Sequence, residues 1–186
     1  MNVLVVVDMQ NDFINGALGT AEARTIVPNV KAKIAQAVEN GDLIVYTRDT
    51  HFDNYLNTRE GVKLPVEHCK YGSEGWRIPD ELLPPGDYDN VVHHNKYSFG
   101  DVSLTTAIQK RLITSRACDP NFVCDEIELV GLCTDICVVS NALILKSAFA
   151  FDYDISVDAN CCAGVTPETH EAALKTMEMC QINIKR

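Results

Sequence analysis

The sequence predicts an α/β fold in which a parallel sheet is covered by helices on both sides. Two patterns indicate this class. Short runs of β-branched residues and leucine recur along the chain, and segments with one apolar helical face separate them. Strands that alternate with helices in this way form right-handed βαβ units. The 186 residues are expected to form a single domain over 1–186.

Six segments have the composition of strands. The first, Val3–Val7, is a continuous apolar run, which is typical of a strand buried on both faces of a parallel sheet. The last is short. The predicted strands cover residues 3–7, 43–47, 90–93, 126–130, 154–157 and 182–184.

Four helices are expected between these strands. In the first, Pro28 is placed in the opening turn and Asn40-Gly41 provides the stop signal. In the last, Thr166 is the N-cap and Pro167 the first helical residue. The predicted helices cover residues 26–39, 103–112, 135–149 and 167–180.

The segment 48–86 is predicted to be mostly loop with one or two short helices. It is polar and contains four prolines, Pro65, Pro79, Pro84 and Pro85. Loops of this length inside a compact domain usually have a function.

Charge and cysteine usage exclude several classes of function. The formal charge is 16 − 26 = −10, which argues against binding to nucleic acid or to an anionic membrane. No apolar run approaches the ~18 residues that span a bilayer, and the start of the sequence lacks the pattern of an export signal. A cytoplasmic protein is therefore expected, with its eight cysteines as free thiols.

Chemistry-bearing residues follow the predicted strands, and the carboxyl ends of parallel strands meet at one edge of the sheet. Cys137 follows Gly131 at the start of a helix, where the helix dipole is expected to lower the thiol pKa. Asp8 follows the first strand and Lys96 the third. Separately they fit a core cysteine, a loop cap and a surface lysine. Together they predict a thiol nucleophile with a proton acceptor and a cation.

The segment after the second strand offers ligands for a metal. Asp49 and His51 are two residues apart on an extended segment and therefore point the same way. Glu60 and His68 follow in the long loop. Carboxylates and imidazoles suit Zn²⁺, Fe²⁺ or Mn²⁺, although hydrogen bonding within the loop explains the same pattern.

Several motifs resemble those of the isochorismatase-like cysteine hydrolases. The first motif corresponds to V-V-D-M-Q-N-D-F at 6–13, and the nucleophile motif to G-L-C-T-D-I-C-V at 131–138. The lysine motif corresponds to H-N-K-Y-S-F at 94–99, and P-V-E-H-C at 65–69 with G-S-E-G at 72–75 lies between. Their order and spacing hold over nearly the whole chain.

The resemblance implies a Rossmann-like three-layer αβα sandwich with about six mostly parallel strands. It implies a catalytic triad of Asp8, Lys96 and Cys137. It also implies a cis peptide bond between Leu132 and Cys133, and an oxyanion hole formed by the backbone N–H groups of Cys133 and Cys137.

Within this superfamily the chain is most similar to the nicotinamidases. That branch implies one divalent metal ion, Zn²⁺ with Fe²⁺ or Mn²⁺ as alternatives, held by Asp49, His51 and His68. Where a further histidine is often found, this chain has Asn57, and Glu60 is assigned as the fourth ligand.

The expected activity is hydrolysis of nicotinamide to nicotinate and ammonia through a thioester, by a homo-oligomer. Phe13, Trp76 and Gln10 are the predicted substrate contacts. One alternative is a metal-independent hydrolase of another small amide, carbamoyl or ureido compound. A non-enzymatic binding module on the same fold is the other.

Overall fold

The computed structural model describes residues 1–84, 86, 88–119, 121–149 and 151–186. Their strands form one six-stranded sheet in the order β3-β2-β1-β4-β5-β6, and every neighbouring pair is parallel. The predicted fold class is therefore confirmed. The strands are β1 (Val3–Val7), β2 (Leu43–Asp49), β3 (Val91–Lys96), β4 (Glu126–Leu132), β5 (Asp154–Ala163) and β6 (Asn183–Lys185).

Helices cover both faces of the sheet, and each layer buries its own apolar cluster. One face packs against α2 and the other against α4, α5 and α6. The helices are α1 (Asn11–Ile14), α2 (Ala21–Glu39), α3 (Arg59–Lys63), α4 (Ser103–Cys118), α5 (Val139–Phe149) and α6 (Pro167–Met179). None of the described helices is both long and apolar enough to cross a bilayer.

The predicted start of α2 is wrong. The helix begins at Ala21, because the side chain of Thr20 accepts a hydrogen bond from the Ala23 N–H and caps it. Pro28 therefore lies inside the helix and not in its first turn. Proline is tolerated there as an exposed residue, although it removes one helical hydrogen bond.

The strands that lead into the candidate site are longer than predicted. Asp49 and Lys96 are the last residues of β2 and β3, where the sequence analysis placed them just beyond the strands. Between these strands lie α3 and two 3₁₀ turns, Tyr55–Asn57 and Asp80–Leu82. Of the prolines assigned to this loop, Pro85 falls outside the described residues.

The connection after β4 differs from an ordinary helix start, because its first turn is π-helical, with a hydrogen bond from the Val138 N–H to the Cys133 carbonyl oxygen. Gly131 has a φ of +116°, and a Cβ atom there would lie 2.2 Å from the Val7 carbonyl oxygen, so glycine lets β4 approach β1. The Leu132–Cys133 peptide bond is cis, as the resemblance implied. The π-helical turn Thr134–Val138, here called the nucleophile turn, then runs into α5. Its N-cap residue is Cys133, with no side-chain cap.

Candidate active site

Asp8, Lys96 and Cys137 meet at the carboxyl edge of the sheet. Lys96 Nζ lies 2.7 Å from Asp8 Oδ2 and 3.4 Å from Cys137 Sγ. Asp8 and Lys96 are fully buried, and Cys137 is 5% exposed. The second oxygen of Asp8 accepts a 2.7 Å hydrogen bond from the Thr47 hydroxyl. Asp8 has a φ of +47°, a strained value for a non-glycine residue that is typical of functional sites.

Burial and mutual charge set the protonation of these three groups. Burial raises the pKa of Asp8, and the neighbouring Lys96 only partly offsets it. Burial opposes the charge on Lys96, but Asp8, Cys137 and Asp49 outweigh it, so the pKa of Lys96 lies well above its ordinary value. Burial and Asp8 also raise the pKa of the Cys137 thiol well above its usual range. The expectation of a lowered thiol pKa is therefore wrong, because burial and the nearby Asp8 carboxylate outweigh the lowering effect of Lys96.

Asp49 joins this group to a second cluster. Its Oδ1 atom lies 3.2 Å from Lys96 Nζ. Its Oδ2 atom faces two imidazoles, 2.9 Å from His51 Nε2 and 3.4 Å from His68 Nε2. Burial opposes ionisation of Asp49, but the hydrogen bonds from His51 and His68 outweigh it and hold its pKa far below the ordinary value.

The four predicted metal ligands converge. One ligand atom from each of Asp49, His51, Glu60 and His68 lies within 4.8 Å of the other three. Glu60 Oε1 lies 3.7 Å from His51 Nε2 and 3.9 Å from His68 Nε2. It is buried and has no hydrogen-bond partner among the described residues.

This donor set fits a divalent cation. Ligand atoms about 2.1 Å from a tetrahedral Zn²⁺ lie about 3.4 Å from one another, close to the separations above. The Nδ1 atom of His68 lies 2.8 Å from the Val66 carbonyl oxygen, which leaves Nε2 free to face a metal. The orphaned oxygen of Glu60 is the strongest sign, because a buried carboxylate requires a partner.

Both clusters open into one cavity of about 350 Å³. Its polar end contains atoms of Asp49, Glu60, His68, Cys133 and Cys137. The rest of its wall is mainly apolar and is formed by Phe13, Leu18, Leu64, Phe99, Ile136 and Val165. A small molecule with a mainly apolar body and one polar group matches this volume and lining.

Known proteins share this fold and about a quarter of this sequence. The isochorismatase domain matches residues 2–184. This chain belongs to the isochorismatase family. The pyrazinamidase of Pyrococcus horikoshii in complex with zinc is 26% identical, with a TM-score of 0.81 over 100% of this chain and 98% of that one. The nicotinamidase/pyrazinamidase of Bacillus subtilis is 26% identical, with a TM-score of 0.80 and full coverage of both chains.

A further relative of this isochorismatase-family hydrolase shows that the fold does not by itself guarantee activity. A probable inactive nicotinamidase of Arabidopsis thaliana is 26% identical over 197 residues, covering 98% of this chain and 89% of that protein. The substrate must therefore be argued from the site of this chain.

Of the three predicted substrate contacts, Phe13 lines the cavity, and Trp76 and Gln10 are placed elsewhere. The Trp76 indole N–H donates to Thr50 Oγ1 at 2.9 Å, and the ring packs under the Arg48 guanidinium at 4.1 Å. Gln10 is fully buried and makes hydrogen bonds to both the N–H and the carbonyl oxygen of Asp49. Gln10 therefore supports a site residue.

Two features of the site were not predicted from the sequence. Thr47, which holds the Asp8 carboxylate, was not identified, and the contact between Asp49 and Lys96 was not expected. The sequence did contain a signal for Thr47. Thr47 and Asp49 are two residues apart in β2 and so share a side of the strand.

Proposed function

We propose that this isochorismatase-family hydrolase cleaves small neutral amides, with nicotinamide as the favoured substrate. The products are the carboxylate and ammonia, and a thioester at Cys137 is the intermediate. One observation carries the proposal. Lys96 contacts both Asp8 and Cys137, and the cavity onto which Cys137 opens is also lined by Asp49, Glu60 and His68, three members of the cluster of four potential metal ligands.

Acylation begins when Cys137 Sγ attacks the amide carbonyl carbon. The raised pKa of the thiol makes free thiolate scarce, so a base must take the proton during the attack. Asp8 is that base, and Lys96 stabilises the negative charge on both partners. The backbone N–H groups of Cys133 and Cys137 are the proposed donors to the oxyanion.

The attack gives a tetrahedral intermediate, and its collapse to the thioester releases ammonia. Asp8, now protonated, gives its proton to the amide nitrogen, the C–N bond breaks, and ammonia leaves. A water molecule then attacks the thioester while Asp8 accepts one of its protons. The C–S bond breaks, Asp8 returns this proton to the Cys137 sulfur, and the carboxylic acid product loses its remaining proton to solvent as it leaves as a carboxylate.

Asp49, His51, Glu60 and His68 would hold the metal ion, with Zn²⁺ as the first choice. When bound, the ion supplies a Lewis acid that accepts the lone pair of an aromatic ring nitrogen. The apolar wall then contacts the faces of the ring and excludes water from the nucleophile. This arrangement favours a pyridine or pyrazine carboxamide.

The charges around the cavity favour a neutral substrate. Among the described residues that line it, there is no lysine or arginine, whereas Asp49 and Glu60 are carboxylates. A substrate with a carboxylate of its own, such as an N-carbamoyl amino acid, would meet like charge with no lysine or arginine in this lining to pair with it, and would have to compete for the proposed metal ion instead. This observation favours nicotinamide over the carbamoyl alternative.

An ammonia-release assay tests the proposal. Purified protein is compared on nicotinamide, pyrazinamide and N-carbamoyl amino acids. We expect turnover of the first two and a loss of roughly 10⁴-fold or more in Cys137→Ala. Cys133→Ala is the matched control, because it keeps its backbone N–H and should stay within about tenfold. Ammonia release by Cys137→Ala would refute the proposed mechanism. A preference for N-carbamoyl amino acids would refute nicotinamide as the favoured substrate.

A further inference from the structure

A hydrogen bond links α6 to the nucleophile turn from outside the substrate cavity. His170 Nδ1, on the first turns of α6, lies 2.8 Å from Thr134 Oγ1. Thr134 is fully buried, and His170 is its hydroxyl's hydrogen-bond partner among the described residues. Without that partner, the hydroxyl would be a buried polar group left unsatisfied.

The segment before α6 is fastened to the same turn. The Val165 N–H donates to the Asp135 carboxylate, at 3.2 and 3.1 Å from its two oxygens. Gly164 lies directly against His170, and a Cβ atom there would be 2.9 Å from the backbone nitrogen and the Cβ atom of that residue. Thr134 and Asp135, which are adjacent in the nucleophile turn, therefore each form a hydrogen bond with the segment 165–170.

From these contacts we propose that His170 is a positioning residue, which acts through Thr134 to hold the nucleophile turn in register with Asp8 and Lys96. The proposal rests on the proposed amide hydrolysis and adds a residue that touches neither substrate nor metal. Its chemical role is to satisfy the Thr134 hydroxyl, so that the turn keeps one orientation.

The position of this turn matters because it carries both the proposed nucleophile and the proposed oxyanion donors, so any displacement moves both. The turn contains Cys137 and starts from Cys133, whose carbonyl oxygen accepts hydrogen bonds from both Ile136 and Val138. Tilting it would shift the sulfur and the proposed oxyanion donors relative to Asp8, which belongs to another part of the sheet. Displacements of about 1 Å can lower a rate by 10²-fold.

Substrate binding should respond less than the chemical step. Of the six apolar wall residues, Ile136 belongs to the nucleophile turn and Val165 to the segment before α6, whereas Phe13, Leu18, Leu64 and Phe99 come from other parts of the chain. Loss of the His170 contact should therefore lower kcat while KM changes little. A general loss of folded protein would instead lower the active fraction and would not respond to restoring one hydrogen-bonding atom.

Kinetics of four variants test the proposal. We expect His170→Ala and Thr134→Val each to lower kcat about tenfold with KM within twofold. His170→Asn, whose amide can occupy the place of Nδ1, should recover most of the loss. The double variant should be no slower than either single one, because both remove the same contact. Independent, multiplicative losses, or no loss in His170→Ala, would overturn the proposal.

Thr169→Ala is the matched control for α6. It removes one half of the capping box that Thr166 and Thr169 form, but leaves the contact of His170 with Thr134 in place. Its kcat should stay within twofold of the wild type. An equal loss of kcat in this variant would show that only the stability of α6 matters.

Hydrogen exchange of the Thr134–Val138 amides gives a readout that needs no substrate. We expect exchange to quicken in His170→Ala and to stay unchanged in Thr169→Ala. If the wild type released no ammonia from any amide, the proposed hydrolysis would fail while this measurement still decided the positioning role. Unchanged exchange in His170→Ala would refute that role.

Discussion

Two charged clusters lie against the same sheet and differ mainly in their access to water. In the catalytic cluster (Asp8, Asp49, Lys96 and Cys137), the Lys96 and Asp8 side chains are fully buried. In the peripheral cluster (Lys33, Glu126, Glu128, Asp158 and Lys185), the side chains are 13 to 42% exposed. Ion-pair distances as short as 2.7 Å occur in both.

The same ionic contacts therefore have different consequences in the two places. In the peripheral cluster water screens the pairs, and their effect on stability is small. In the catalytic cluster desolvation is severe: at Asp8 it exceeds what pairing with Lys96 returns, although at Lys96 and Asp49 the neighbouring groups outweigh it. Buried ion pairs of this kind are a poor way to stabilise a fold. The pKa values of Asp8 and Glu126 shift in opposite directions, whereas at the buried Asp49 hydrogen bonds from His51 and His68 outweigh burial and lower the pKa. Burial raises the pKa of Asp8, and at Glu126 hydrogen bonds from Lys185 outweigh burial and lower it.

Removing one lysine from each cluster should give the largest contrast. Lys96→Met leaves two buried carboxylates without their cation, so we expect a loss of about 3–5 kcal/mol in unfolding free energy. Ammonia release should also fall by at least about 10³-fold. Lys185→Met, at 42% exposure, should cost no more than about 1 kcal/mol. Urea denaturation measures both variants, and equal losses would remove the distinction.

Metal content should test the four-ligand cluster that shares Asp49 with the catalytic cluster. The wild type is expected to retain about one Zn²⁺, Fe²⁺ or Mn²⁺ per chain after dialysis, and chelation should lower its Tm. His68→Ala removes one of four ligands and should weaken metal binding by about 100-fold or more. His94→Ala is the control, because His94 pairs with Asp101 outside the ligand set. Undiminished metal content in His68→Ala would contradict the assignment.

Protonation of Asp8 as pH falls should lower activity but increase the contribution of Asp8 to stability. Its raised pKa means that it becomes protonated, and useless as a base, as pH falls through that value. The acid limb of kcat/KM should therefore lie above the ordinary aspartate pKa of 3.8. Because the folded state binds the proton more tightly, the contribution of Asp8 to unfolding free energy should increase over the same fall in pH.

Asp8→Asn is the reference for this measurement. The difference in unfolding free energy between wild type and Asp8→Asn should change in favour of the wild type between neutral pH and about pH 4. A difference that stays constant over this range would show that Asp8 titrates as an exposed carboxylate does.

The smallest effect is expected at Glu126. Its lowered pKa means that it stabilises the fold above the ordinary glutamate value of 4.5, and that this contribution disappears as pH falls through the folded-state pKa. Glu126→Gln should cost less than about 1 kcal/mol at pH 7 and nothing at low pH. Thermal unfolding at the two pH values checks this, and a constant cost would point to packing instead.

Much of the site was predictable because parallel strands deliver their carboxyl ends to one edge. That rule brought Asp8, Lys96 and Cys137 into one hypothesis before any contact was known. The strand pattern likewise predicted the sheet, since apolar runs and helical periodicity are local properties of the sequence. The homo-oligomer and the cytoplasmic location stay predictions.

The features that sequence reasoning missed depend on tertiary contacts. The thiol pKa of Cys137 was assigned from the local helix dipole, but burial in the assembled site decides its direction. Gln10 and Trp76 were predicted to contact the substrate, yet their side chains make hydrogen bonds within the protein, Gln10 to Asp49 and Trp76 to Thr50. The first turn of α2 was missed because Pro28 was a stronger local signal than Thr20.

The two oxygens of Asp49 contact different groups: one faces the Lys96 ammonium and the other faces the imidazoles of His51 and His68. Replacing this residue would therefore disturb nucleophile and ligand cluster at once, and an inactive Asp49 variant could not reveal which had failed. His68, which has no contact with Lys96 among the described ion pairs and hydrogen bonds, permits the cleaner dissection.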